Sequence, residues 1–269
     1  MLRSKLKKLR AILKESESAL VAFSGGVDSS YLLKEALETL GKEMVLAVVA
    51  SSETYPENEV KDAVKLAKKI GARIKVIKTF EIDDARFVKN PLKRCYYCKR
   101  ELFSKLKAIA KKEGIPALFD GANYDDRLDF RPGSVAGKEL GVRSPLKEAG
   151  ITKAEIRKLS KAYKLPTWNK PSLACLASRI PFGTKIEKKT LGMVGNAEDF
   201  IRALGFRQVR VRHHGNIARI EVFPEDLSRL LKHRLKIAEK LKTLGYLYVT
   251  FDIEGFRSGS MNPPKSGAR

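Results

Sequence analysis

Apolar positions along this chain follow two alternating rhythms. Leu2, Leu6, Leu9 and Leu13 recur at helical spacing among Lys5, Lys7, Lys8, Arg10 and Lys14, which predicts an amphipathic helix. Ala19 to Phe23 is a short apolar strand, and a helix begins near Ser29, with Leu32, Leu33, Ala36, Leu37 and Leu40 on one face. Met44 to Ala50 is apolar throughout, as expected of a strand buried on both faces of a parallel sheet. A helix from Pro56 to about Ile70, a strand over Arg73 to Thr79, a long helix from about Tyr97 to Glu113 and a strand at Leu118 to Gly121 continue the pattern. Thr152 and Glu155 make a capping box that opens a helix to about Tyr163. Strand and helix in turn predict an α/β fold, a doubly wound parallel sheet covered on both sides.

From about Thr184 the texture changes. A helix over Leu191 to Leu204 precedes two short alternating runs, Gln208 to His213 and Ala218 to Val222, around His214-Gly215-Asn216. These read as a hairpin. A helix from Pro224 to Leu244 and a strand from Tyr246 to Phe251 complete a small C-terminal α+β domain, expected to be ferredoxin-like. The expected divisions are 1–183, 184–257 and a polar, flexible tail at 258–269.

The first candidate site is the turn Ala22-Phe23-Ser24-Gly25-Gly26-Val27-Asp28-Ser29-Ser30, which joins the first strand to the following helix. Backbone N–H groups at such a turn converge and, with the helix dipole, hold phosphate. No lysine follows the glycines, so this is not the usual NTPase cradle. Ser-Gly-Gly-x-Asp-Ser instead resembles the PP-loop of the ATP pyrophosphatases, the adenine nucleotide alpha hydrolase-like enzymes, and that likeness implies ATP as cosubstrate and adenylation of an acceptor. Ala50, Ser51 and Thr54 end the second strand, where ligands of an open parallel sheet bind, and are expected to meet the adenosine. Gly121, Asn123 and Asp126 occupy the loop after the fourth strand on the same side, with Asp129, Arg131, Pro132 and Gly133 close behind.

Lys and Arg number 54 against 31 Asp and Glu, a net charge of +23. That balance suits polyanionic partners, either RNA or phosphorylated and carboxylated small molecules, although many lysines, such as Lys61, Lys65, Lys68 and Lys69, fit a solvated helix face. No apolar run approaches the roughly 20 residues of a bilayer span, and no export signal is recognisable, so a cytoplasmic protein without a membrane partner is expected.

The three cysteines argue against a disulfide framework. Cys95 and Cys98 lie just before the long helix, three apart, where both sulfurs fall to one side; Cys175 stands alone. Together they could hold a [4Fe-4S] cluster with one open iron, or zinc, with His213 or His214 closing the site. Cys95 and Cys98 could equally be a redox pair with Cys175 a core thiol. Positive charge from Arg94, Lys99 and Arg179 favours thiolate in each case.

Ser24 to Ser30, Glu53-Thr54-Tyr55-Pro56, Arg94-Cys95-Tyr96-Tyr97-Cys98-Lys99, Gly121 to Asp126, Arg131-Pro132-Gly133, Ser144-Pro145-Leu146, Pro171 to Arg179 and Arg210 to Gly215 together resemble the LarE family of ATP-dependent sulfur transferases. The likeness runs over nearly the whole chain. It implies synthesis of the nickel-pincer nucleotide, with a pyridinium dicarboxylate mononucleotide activated as an acyl adenylate and converted to a thiocarboxylate. Some members sacrifice the sulfur of the cysteine matching Cys175; the three-cysteine pattern here implies a [4Fe-4S] cluster, an external sulfide or sulfur donor and catalytic turnover. A homo-oligomer, a hexamer, is also implied.

Within that frame Asp28 makes sense as a Mg²⁺ partner or loop brace, and Arg179 as a bidentate partner for an acyl phosphate. Arg210 and Arg212 alternate on one strand face and could meet the substrate phosphate, or pair with Glu198, Glu221 or Asp226. Glu198 and Glu221 are also candidate metal ligands. Three other readings compete: a tRNA thiolase on the same PP-loop, supported by the charge; an amidoligase-like pyrophosphatase with structural zinc; and a non-enzymatic nucleotide sensor.

Overall fold

The structure, a computed structural model, describes residues 2–127, 132–171, 174–257 and 259–261. The chain divides into two compact units, Met1–Phe87 with Leu92–Leu173, and Val88–Pro91 with Ala174–Arg269.

The first unit contains α1 (Leu2–Lys14), β1 (Ala19–Ala22), α2 (Val27–Leu40), β2 (Val45–Ser51), α3 (Glu57–Ile70), β3 (Arg73–Lys78), α4 (Ala85–Val88), α5 (Arg94–Lys112), β4 (Ala117–Phe119), α6 (Pro132–Glu139), α7 (Pro145–Glu148) and α8 (Lys153–Ala162). Its four strands are parallel in the order β3-β2-β1-β4. Successive strand side chains point to opposite faces. Ala19 and Val21 of β1, with Val45, Ala47 and Val49 of β2, therefore join one core with α1, α2, α3 and α8. Leu20, Leu46, Val48 and Leu118 face the other way and pack against Leu102, Phe103 and Leu106 of α5. Helices cover both sheet faces, as the apolar runs predict. The capping box at α8 is formed, with Thr152 and Glu155 each bonding the other's backbone N–H.

A carboxylate ties α1, α2 and α8 together. Buried Glu35 accepts from Arg10 Nε at 2.6 Å, Tyr31 Oη at 3.1 Å and Tyr163 Oη at 2.8 Å. Burial first, then Glu35, raises the Tyr163 phenol to about 12.

The second unit comprises α9 (Lys188–Ala203), β5 (Val209–His214), β6 (Ile217–Val222), α10 (Leu227–Lys232), α11 (Arg234–Thr243) and β7 (Tyr248–Phe251). The hairpin is antiparallel, with Val209 opposite Val222, and β7 adds parallel to β6. The sheet has three strands in the order β5-β6-β7, so the ferredoxin-like expectation fails: helical and irregular chain precedes α9 where a further strand would lie. The single helix expected from Pro224 to Leu244 is broken at His233, which caps α10.

The division falls at Leu173/Ala174 and not at 183/184. Asn90 accounts for the short excursion into the second unit, because its amide donates to the carbonyls of Pro181 at 2.7 Å and Thr184 at 3.0 Å. The tail expected at 258–269 begins in contact, since Ser260 Oγ donates to Glu221 Oε1 at 2.9 Å; residues 262–269 lie outside the described residues.

Arg179, 1% exposed, lays Nε and Nη2 on the two oxygens of fully buried Glu198 at 2.8 and 3.0 Å. Burial pushes the Glu198 carboxyl up, but Arg179, Arg210 and Arg202 pull it down further, and its pKa falls below 4.5. A lowered folded-state pKa contributes stability that is complete above the unfolded value and is lost as pH falls through the folded one. Denaturant unfolding followed on the second unit's His213 and Tyr246 should therefore weaken progressively below about pH 4.5. Glu198→Ala should cost about 3–5 kcal/mol at neutral pH, because it strands a buried guanidinium.

Candidate active site

β1 ends at Ala22 and the chain turns through Phe23 to Gly26 into α2. Gly25 has a φ of +68°, and a Cβ there would stand 2.9 Å from the Ala63 Cβ on α3, so conformation and neighbour both demand glycine. Ser24 and Ser29 brace the turn: their hydroxyls are 3.1 Å apart, and Ser29 Oγ receives the Ser24 N–H at 3.3 Å. Gly26 offers α2 no side-chain cap. The first-turn N–H groups are thus unblocked by a side-chain cap, as an anion site requires.

The loop after β4 meets the same place. A Cβ on Gly121 would lie 3.0 Å from the Ser29 N. Asn123 and Asp126 brace that loop: Asp126 Oδ2 accepts the Asn123 N–H at 2.9 Å, and Asn123 Oδ1 accepts the Asp125 N–H at 2.9 Å. Asp129 and Arg131 lie outside the described residues. After β2, the hydroxyls of Ser52, at 2.7 Å, and Thr54 donate to Oε1 of buried Glu81, which makes Thr54 a brace of its own turn.

Two lysines reach the loop from later in the chain. Lys153 Nζ, at the start of α8, lies 2.5 Å from Asp28 Oδ2, while Asp28 Oδ1 is buried with no hydrogen-bond partner among the described residues. Lys170 Nζ lies 2.7 Å from Glu59 Oε2 on α3 and 3.5 Å from the Gly25 carbonyl oxygen.

Beside the loop a cleft open to solvent is lined by Ala22, Phe23, Ser24 and Ala50, by Tyr55, Glu59 and Val60, and by Lys99 and Leu102 of α5. The helix that carries Cys95 and Cys98 therefore forms one wall of the cleft. Both cysteines lie inside α5, near its start, and not before it, because the helix starts at Arg94; Cys95 is exposed and Cys98 half-buried. Half-buried Cys175 precedes a short 3₁₀ turn in the second unit. Among the described residues no group of three or more His, Cys, Asp or Glu is arranged to hold a metal ion.

The charged residues of the second unit depart from expectation. Arg179, expected to meet an acyl phosphate, is committed to Glu198 and to the carbonyls of Ala174 and Cys175, at 2.6 and 2.9 Å. It braces the backbone that carries the thiol. Glu198 also accepts from Arg202 at 2.7 Å and from the Val211 N–H at 3.0 Å, and Glu221 is held by Arg212 at 2.6 Å, Arg219 at 3.3 Å and Ser260. Neither carboxylate has the open oxygens of a metal ligand, so that expectation is withdrawn. Arg210 and Arg212, expected at a substrate phosphate, are both buried; the Arg210 guanidinium stacks 5.6 Å from the Phe256 ring and is pushed down to about 10, first by burial and then by Arg179. His213 is buried beside Tyr246 Oη, 3.4 Å from Nδ1, and burial and then His214 lower its pKa below 6.5.

A glycine turn at the carboxyl end of an inner parallel strand, lysines at its rim and a cleft at its side define a nucleotide-binding protein of the PP-loop ATP pyrophosphatase class. The family model for NAD synthase matches residues 1–97. An NH3-dependent NAD+ synthetase of Methanococcoides burtonii is 26% identical over 56% of this chain and 58% of its own. The pyridinium-3,5-bisthiocarboxylic acid mononucleotide synthase of Lactiplantibacillus plantarum is 40% identical over 97% of this chain and 95% of its own, and an uncharacterised protein of Synechocystis is 43% identical over 97% and 98%. The chain belongs to the LarE family of ATP-dependent sulfur transferases.

Lys153, Lys170, Glu59 and Glu81 were not legible as site residues. Lys153 follows a capping threonine and Lys170 precedes Pro171, and neither local pattern distinguishes them from the chain's other lysines. Gly25→Ala should abolish nucleotide binding, since it forces a positive φ on alanine and drives a methyl into Ala63; isothermal titration with ATP should show no heat from an otherwise folded variant.

Proposed function

We propose that this chain adenylates a carboxylate of a pyridinium dicarboxylate mononucleotide and exchanges oxygen for sulfur there, in the synthesis of the nickel-pincer nucleotide. The near full-length likeness to a pyridinium-3,5-bisthiocarboxylic acid mononucleotide synthase carries the reading. The substrate carboxylate attacks the α-phosphorus of ATP, and pyrophosphate leaves into the Ser24 to Ser30 turn. A sulfur nucleophile then attacks the acyl carbon and AMP departs. Thiolate or sulfide suits this step, being strongly nucleophilic near neutral pH.

Mg²⁺ fits beside Asp28, whose buried, unpartnered Oδ1 is an oxygen suited to a hard cation or to one of its waters. Magnesium would supply charge neutralisation for the phosphates.

The sulfur is assigned to a [4Fe-4S] cluster on Cys95, Cys98 and Cys175, with zinc the lesser alternative. The donor set fits in kind: two thiols one helical turn apart at the positive end of α5, one of them exposed, and a third thiol elsewhere in the chain. Bound there, a cluster would supply a sulfide at its open iron. Lys99, next to Cys98 and at the cleft wall, is suited to hold an anionic acyl adenylate. An external sulfide or sulfur donor would renew the supply.

Anaerobically purified protein should contain iron and labile sulfide, and with MgATP and the dicarboxylate mononucleotide it should yield AMP, pyrophosphate and a thiocarboxylate detectable by mass spectrometry. Cys95→Ser, Cys98→Ser and Cys175→Ser should each lose iron and thiocarboxylate while still releasing pyrophosphate. Zinc in place of iron would sink the cluster assignment alone; ADP in place of AMP would sink the adenylation.

A further inference from the structure

The glycine turn lacks the lysine that follows the glycines in the usual phosphate loop, yet the fold returns one to it. We propose that Lys170 is the diphosphate-binding cation of this loop, held against Glu59 until pyrophosphate or the β- and γ-phosphates of ATP enter. The proposal rests on the reading of the loop as an ATP site and assigns the residue that supplies its mobile positive charge.

Three observations carry it. First, the Lys170 ammonium touches the loop itself, 3.5 Å from the Gly25 carbonyl oxygen, at the residue whose positive φ shapes the turn. Second, its other partner lies on the cleft: Glu59 lines it, and the two groups are 2.7 Å apart with about a fifth of each side chain exposed, 23% and 22%. A carboxylate at the wall of a phosphate site repels the ligand unless a cation covers it, and a solvent-touched ion pair adds little to folding. The pair makes better sense as a charge held in place than as a brace. Third, the backbone behind the lysine is held by groups other than its own side chain. Arg157 forks onto the carbonyls of Trp168 at 2.8 Å and Lys170 at 3.0 Å, and the Lys170 N–H closes a turn onto the Thr167 carbonyl at 3.0 Å. The four-carbon stem can then move its ammonium from one carboxylate oxygen to a phosphate oxygen without moving the chain.

Lys153 is paired with Asp28 at 2.5 Å just as Lys170 is with Glu59, so both lysines flank the turn; Lys170 is the one that also touches the turn's backbone, at the Gly25 carbonyl. Negative charge on the leaving diphosphate grows as the bond from the α-phosphorus to its bridging oxygen breaks, so a cation there acts more strongly on the transition state than on bound ATP.

The test is isothermal titration of magnesium pyrophosphate and, separately, AMP into the full chain. Lys170→Ala should weaken pyrophosphate roughly tenfold to a hundredfold, the worth of one charge-assisted contact, and leave AMP within about twofold. Lys170→Arg should recover most of the loss. Glu59→Gln should tighten pyrophosphate, because it removes the competitor; a merely structural pair would make both truncations act alike. Equal weakening of AMP and pyrophosphate in Lys170→Ala, or weaker pyrophosphate in Glu59→Gln, would overturn the assignment while leaving the ATP site intact. Wild-type protein that binds neither ligand would overturn the reading of the site and the lysine's role with it.

Discussion

β1 lies between β2 and β4, and all are parallel, so the chain winds outward from β1 through β2 to β3 and then returns across β1 to add β4 on the other side. Loops leaving the carboxyl ends of β1 and β4 diverge at that reversal and open a crevice. The Gly25-Gly26 turn leaves one side and the Gly121 loop the other, close enough that a single methyl on Gly121 would press on the Ser29 backbone. Every group assigned to phosphate chemistry is placed by this reversal. The first-turn N–H groups of α2 are held there by β1, Lys153 reaches it from α8, and Glu59 and Lys170 close on it through α3 and the segment after α8.

The second unit uses charge differently. Arg179, Arg202 and Arg212 converge on Glu198 and Glu221, and Arg219 bridges Glu221 to Asp252 at 3.3 Å. Taking such groups out of water costs several kcal/mol per ion, recovered only when each oxygen is met by a donor. Here the carboxylates are met several times over, and one guanidinium also grips the carbonyls of Ala174 and Cys175. The arrangement fixes the backbone at the thiol more than it adds stability. Part of the large positive charge is therefore interior framework and does not form a surface for polyanions.

The periodic part of the fold was legible. Continuous apolar runs marked β1 and β2 of the first unit, and alternation around Gly215-Asn216 marked the hairpin, because burial on two faces or one writes itself directly into the pattern. The glycine turn was legible because its conformation restricts the residue type. Long-range partnerships were not. Arg179 beside a cysteine looked like a substrate ligand, and only the packing of α9 shows that Glu198 consumes it. Lys170 looked like one lysine among many, since nothing local records that Arg157 pins its backbone next to Gly25. The ferredoxin-like expectation failed where alternation alone could not count strands.

The account's central claim is that a carboxylate oxygen of the acceptor attacks the α-phosphorus at this crevice. Supplying the dicarboxylate mononucleotide with oxygen-18 in its carboxylates, then analysing the nucleotide product by mass spectrometry, tests it most directly. The label should appear in AMP, one atom for each sulfur installed. AMP without the label, or label in inorganic phosphate released alongside ADP, would contradict it.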